Sequence, residues 1–181
     1  QEEKRSTRVL FVAEGREAAA VEQAKVFLEE RGLPSSQIRE VCADMSPAYA
    51  KGIREQFREA RLVLDFFHVV QLLTTAVDTV RRRESARFPQ LLKGTRYWWL
   101  KNEENLSEAQ QEQRRQLCRN NLQTAKAHGH LAAFQDLLKA QEVEEAVGGL
   151  KWWYNWVCHS RIPEMIQVAK SIKAHWEGIV A

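Results

Sequence analysis

Three strand-like segments, Val9 to Ala13, Ile38 to Ala43 and Leu62 to Leu64, alternate with helix-patterned stretches in the first 87 residues, and no convincing strand pattern follows residue 88. This one-sided distribution constrains the fold more than any other feature. A continuous apolar run bounded by turn residues reads as a strand buried on both faces. Helical spacing fills the intervals. Ala20, Val21, Ala24, Phe27 and Leu28 recur within residues 17–31, ahead of Gly32 and Pro34 as stop signals. Ala50, Ile53 and Phe57 form one apolar face behind Ser46 as N-cap and Pro47 at the first helical position. A longer helix follows, marked by Val69, Leu73, Ala76, Val77 and Val80. Strands alternating with helices predict an α/β unit whose sheet is at least partly parallel.

From residue 88 onward every segment follows helical spacing. The expected breaks are Pro89, Gly94, the stretch 102–107, His128 to His130, Gly148-Gly149 and Pro163. Ser107, with Gln110 three residues on, reads as a capping box opening the longest of these helices. The 181 residues, 44% hydrophobic and 28% charged with only 8 Gly and 4 Pro, suit one folded helix-rich domain, or one domain carrying an insertion. Cys42, Cys118 and Cys158 are an odd number without a CxxC pair, so neither a disulfide framework nor a zinc site is indicated and a reducing compartment fits. No run approaches the roughly 18 apolar residues of a membrane span, and QEEKRSTR is not a signal peptide, so a soluble cytoplasmic protein without a membrane partner is expected.

A net charge of +3 says little about partners, but the basic residues cluster. Arg81, Arg82 and Arg83 are followed by Lys93, Arg96 and Lys101, and a second group holds Arg114, Arg115, Arg119 and Lys126. Two readings stand: solvated helix faces, or a surface for phosphates. Two of the three predicted strands end on an aspartate, Asp44 and Asp65. Ligands of open α/β sheets bind outside the carboxyl ends of the strands, so both carboxylates could serve one site. Metal-dependent phosphodiester chemistry needs such oxygen ligands from separate elements. The competing reading makes each a turn or capping residue, weakened at Asp44 by the better cap expected at Ser46. His68, three residues after Asp65, either supports a metal or carboxylate site or is a core histidine among Phe66, Phe67, Val69 and Val70. The six tryptophans suit packing between helices or base stacking. No phosphate-binding glycine loop, GxSxG elbow or HExxH motif is present, which removes support for nucleotide hydrolysis, serine hydrolysis and zinc proteolysis.

VCADMSPAYAKGIREQF, followed by ARLVLDFFHVVQLLTTAVDTVRRRE, resembles the catalytic domain of bacterial insertion-sequence transposases with an Asp-Asp-Glu triad, in the subfamily reading DMSPxY and DxFHVV. The likeness continues through LLKGTRYWWLKNEENLS, NLQTAKA and SRIPEMIQVAKSIKAHWEGI, so it spans the chain. It implies a ribonuclease-H-like fold interrupted by a helical insertion: a partial core over 1–87, the insertion over 88–150, and a helical segment leading back to the core over 151–181. Asp44 matches the second catalytic aspartate and would ligate Mg²⁺ or Mn²⁺. Asp65 and His68 match the DxFH motif in a supporting role. The first aspartate would lie upstream of Val9 and the glutamate downstream of AHWEGIVA, and neither Glu14 nor Glu177 has the context of a replacement. The resemblance therefore implies an interior fragment, inactive and metal-free alone, of an enzyme that binds DNA in the cytoplasm or nucleoid and acts as a homo-oligomer. Arg81, Arg82, Arg83, Lys93, Arg96 and Lys101 would touch DNA phosphates, while Phe66 replaces a basic residue usual in the family. The alternatives are a non-catalytic DNA-binding or assembly module, and a nuclease of the same fold. A missing hairpin strand would also expose a sheet edge and favour dimerisation.

Overall fold

The computed structural model describes residues 9–15, 17–140 and 142–179. The chain divides into two compact units, with the boundary between Asp65 and Phe66. In the first, helix α1 (Ala18–Glu29) runs into a turn closed by Gly32, whose φ of 79° is a left-handed conformation that glycine adopts without a Cβ clash. Strand β1 (Glu40–Ala43), helix α2 (Pro47–Gln56) and strand β2 (Arg61–Leu64) follow. The strands pair in parallel from Glu40 opposite Arg61 to Ala43 opposite Leu64, with α2 as the crossover that parallel strands require. Ile53 of α2 and Phe57 at its C-cap are buried, as their spacing predicts. The helix lies so close to α1 that a Cβ at Gly52 would meet Val21 Cβ at 3.0 Å and the Ala18 backbone at 3.1 Å.

The apolar run Val9 to Ala13 is not a strand, a correction to its sequence pattern. Among the described residues the sheet contains only β1 and β2. Without a ladder partner the run stays irregular: Val9, Leu10 and Val12 are largely exposed, and Phe11 packs on Phe27 with ring centres 4.9 Å apart.

The second unit is helical among its described residues: α3 (Phe66–Ser85), α4 (Pro89–Leu92), α5 (Arg96–Leu100), α6 (Glu108–Cys118), α7 (Gln123–Leu137), α8 (Val143–Cys158), α9 (Pro163–Ala174) and α10 (Trp176–Ile179). Its core forms where α3 packs on α7 and α9 and α8 packs on the same two helices. Val69, Leu73, Ala76, Val77 and Val80 of α3 are buried as their spacing predicts, with Phe134 of α7, Trp153 of α8 and Met165 of α9. The Trp153 indole donates to the His130 carbonyl at 2.8 Å, which satisfies its polar end inside the core.

Three expectations from helix signals need correction. The capping box at Ser107 forms, with both the Ser107 side chain and the Gln110 side chain engaged, but it opens the 11-residue α6, which is shorter than α7 and α8. His128 to His130 and Gly148-Gly149 lie inside α7 and α8 and break neither. Packing explains the second case: a Cβ at Gly149 would overlap the Leu137 side chain, so glycine is retained for close approach of α8 to α7.

One carboxylate joins the two halves of this core. Glu84 is buried near the end of α3 and accepts from Gln123 N–H at 2.8 Å, Thr124 N–H at 2.8 Å and the Thr124 hydroxyl at 2.7 Å. Leu122, at the N-cap of α7, contributes no side-chain hydrogen bond, so Glu84 serves as the cap from another helix. Glu84→Ala strands three donors, the two of Thr124 buried, and is expected to cost about 2–4 kcal/mol in denaturant unfolding. Ser107→Ala, removing an exposed cap, is expected to cost about 1 kcal/mol. Equal losses for the two would contradict the tertiary cap.

Candidate functional site

The parallel register builds the site. Ala43 pairs with Leu64, and Asp65 N–H donates to the Ala43 carbonyl at 2.9 Å, so Asp44 and Asp65 leave neighbouring strands at the same level. Adjacent strands lie roughly 4.8 Å apart. Both aspartates are half-buried at the carboxyl ends of their strands, the position the sequence pattern predicts. Burial, and then the negative charge of Asp65, raise the pKa of the Cys42 thiol.

The turn after Asp44 differs from expectation. Ser46 occupies the N-cap of α2 with extended backbone but makes no side-chain cap, and its N–H donates to Asp44 Oδ1 at 2.9 Å. Asp44 thus forms the Asx turn that leads into α2, which reverses the expectation that Ser46 would relieve it of that duty. One accepted hydrogen bond leaves a carboxylate with further acceptor capacity. The turn fixes the side chain without consuming it. His68 stands in the first turn of α3, half-buried, its ring edge-on to Phe67 at 5.6 Å.

Among the described residues no group of three or more His, Cys, Asp or Glu is arranged to hold a metal ion. Asp44 and Asp65 supply two carboxylates where a divalent-metal site of this chemistry takes ligands from more elements, so the described residues do not by themselves fit the ion.

The predicted basic residues sort into distinct environments. Asp78 of α3, buried, gathers three of them: Arg81 at 2.8 Å, Arg82 at 3.4 Å and Arg96 of α5 at 3.7 Å. The Arg81 side chain is only 11% exposed, so it neutralises a buried carboxylate. Arg83 bonds the Gln123 side chain at 2.6 Å and Glu164 at 3.0 Å, tying α3 to α7 and α9. Lys93 and Lys101 are exposed, and Lys101 lies 5.5 Å from the Tyr97 ring centre. In the second basic group Arg114 is buried, donating to the Trp98 carbonyl at 3.2 Å and pairing with Glu103 at 2.8 Å. Its guanidinium lies 3.4 Å from His128 Nε2. Burial and then the Arg114 charge hold the His128 pKa down at about 4, against the pull of Glu103.

Sequence reasoning missed Asp78, although its spacing of three and four residues from Arg81 and Arg82 is the signature of a helical ion pair. It also missed Glu84 as a cap, a role for which no local pattern exists.

Comparisons with known proteins agree with the motifs. A family model described as Transposase matches residues 1–181, and the chain belongs to this transposase family. The transposase for insertion sequence element IS1557 of Mycobacterium tuberculosis is 26% identical over 97% of this chain and 45% of its own length. The transposase for insertion sequence element IS1001 of Bordetella parapertussis is 26% identical over 96% of this chain and 44% of its own length. The chain therefore spans about half the length of the curated relatives it matches. No solved structure matches it significantly. No helix among the described residues is long and apolar enough to cross a membrane.

These environments predict different consequences for residues of one charge. Arg81→Ala is expected to lower folding stability by about 1–3 kcal/mol, because Asp78 keeps only its partly exposed partners. Lys93→Ala and Lys101→Ala should stay within about 0.5 kcal/mol of wild type, and each should reduce the slope of log binding constant for duplex DNA against log salt by about 1. An unchanged slope in both lysine variants would remove them from the DNA-facing set.

Proposed function

We propose that the chain is part of the catalytic domain of a transposase that cleaves DNA at the ends of an insertion sequence and transfers the cut strand to a target. In this reading residues 1–87 belong to a ribonuclease-H-like core, 88–150 to a helical insertion and 151–181 to the return into the core. Asp44 supplies one catalytic carboxylate, and Asp65 and His68 support it. The observation that carries the reading is the register of β1 on β2, which sets Asp44 beside Asp65 at the carboxyl ends of parallel strands. Family membership and the DMSPxY and DxFHVV motifs point the same way.

Phosphoryl transfer rests on positioning and charge compensation, with water and then a DNA 3′-hydroxyl attacking in line. A bound Mg²⁺ or Mn²⁺ would supply that compensation in the whole protein, with Asp44 as one ligand and others from outside the described residues. Asp44 is suited to this part because its Asx turn holds the carboxylate at the strand end before any ligand arrives. Lys93, Lys101, Arg82 and Arg96 take DNA phosphates, whereas Arg81 and Arg83 hold the surface that presents them. The whole protein acts as a homo-oligomer on DNA in the cytoplasm, and the 181 residues alone neither bind the ion tightly nor cut.

The test is divalent-metal-dependent cleavage of end-containing DNA by the whole transposase. Asp44→Asn is expected to lose cleavage by at least about 1,000-fold with folding and DNA binding intact. Asp65→Asn should lose roughly 10- to 100-fold, as groups that orient a ligand do. Wild-type cleavage by Asp44→Asn would make Asp44 a turn residue only and favour a non-catalytic DNA-binding module.

A further inference from the structure

The transposase reading leaves one feature of the helical unit without a role. Trp152 and Trp156 stand four residues apart on one face of α8, 60% and 39% exposed, with ring centres 5.1 Å apart and planes tilted by 32°. Trp99 and Trp153 are fully buried, so the core already has its aromatic packing. Two exposed indoles side by side form an apolar surface of the sort that marks an interaction site.

Trp156 also lines an open groove of about 700 Å³ within this unit. Ala125 and Gly129, one turn apart on α7, line it as well, and the missing side chain at Gly129 leaves room beside the Trp156 ring, whose nearest atom is 4.0 Å from where a Cβ would sit. Arg119 and Lys126, both exposed, are its fully charged residues, and no acidic residue lines it. The groove is cationic with an aromatic wall.

His130 gives a second and independent indication. It lines the same groove, is 2% exposed, and its Nδ1 has no hydrogen-bond partner in the protein. Its ring meets Trp156 edge-on at 4.4 Å. A buried polar atom left without a partner is destabilising, so its occurrence in the wall of the groove is a mark of a binding surface. Burial holds the His130 pKa down at about 4, so the ring is neutral at pH 7 and offers either a donor or an acceptor according to tautomer.

We propose that this groove binds an unpaired nucleotide of single-stranded DNA, with the base stacked on the Trp156 and Trp152 surface and the flanking phosphate held by Arg119 and Lys126. A base within a duplex hides both faces and cannot use the indoles. An acidic peptide would satisfy the cations and leave the tryptophans in water. The proposal rests on the transposase reading only for the source of unpaired DNA, since the chemistry of the groove stands on its own residues.

The experiment titrates the 181-residue chain with an oligothymidylate of about ten nucleotides, beside a duplex of equal length, and reads tryptophan emission and thermal midpoint. The single strand is expected to quench emission and to bind more tightly than the duplex. Gly129→Leu fills the groove while placing a better helix former in α7, so affinity should fall roughly 5- to 100-fold with the midpoint unchanged or raised. Arg119→Ala should reduce the salt slope of single-strand binding by about 0.7. Absence of quenching, tighter binding of the duplex, or wild-type affinity in a folded Gly129→Leu chain would each overturn the proposal. Binding is read here on the chain and cleavage on the whole transposase, so the groove can fail while the role of Asp44 stands, and the reverse.

Discussion

The parallel ladder between β1 and β2 is the constraint on which the functional reading depends. Four residue pairs, extended by the hydrogen bond from Asp65 N–H to the Ala43 carbonyl, convert two aspartates 21 positions apart in sequence into neighbours. A shift of one residue would send one carboxylate to the other face of the sheet, because side chains alternate along a strand. A two-stranded sheet is marginal in isolation. Here α2 connects the strands and packs on α1, with Gly52 allowing the two helices to approach.

The helical unit is held by a different kind of interaction. Its packing faces are ordinary amphipathic stripes, but two buried acids set how the helices meet. Glu84 caps α7 from α3, and Asp78 draws Arg81, Arg82 and Arg96 to one point. Both acids lie on α3: Glu84 continues the apolar stripe one turn beyond Val80, and Asp78 lies off that stripe. Basic residues adjacent in sequence are thereby divided between structure and surface: Arg81 and Arg83 are engaged within the unit, whereas Lys93 and Lys101 project from it.

Local patterns made the strand ends, the face of α2, the core of α3 and the capping box legible in the sequence, since each depends on neighbours within one turn or one strand. What stayed hidden depends on distant partners. The run Val9 to Ala13 has strand composition, but composition provides no ladder partner. Gly148-Gly149 and the His128 to His130 stretch look like helix breaks, and tertiary packing retains both inside helices. Asp44 was legible as the end of a strand, and its Asx turn was not, because the Ser-Pro pair that follows is an equally good N-cap by pattern. Of the tryptophans, Trp99 and Trp153 follow the packing expectation, while Trp152 and Trp156 remain at the surface.

Cysteine cross-linking tests the central geometric claim most directly. In a background with Cys42, Cys118 and Cys158 replaced by serine, Asp44→Cys and Asp65→Cys are combined, and mild oxidation is followed by mass and by mobility without reductant. Neighbouring parallel strands place the two Cα atoms roughly 4.8 Å apart, inside the span of about 4.4–6.8 Å that a disulfide bridges. Rapid intramolecular bridging is expected, with none for a control pairing Asp44→Cys with Arg61→Cys at the far end of β2. Equal bridging in the two pairs, or none in either, would contradict the register and with it the placement of the two carboxylates at one site.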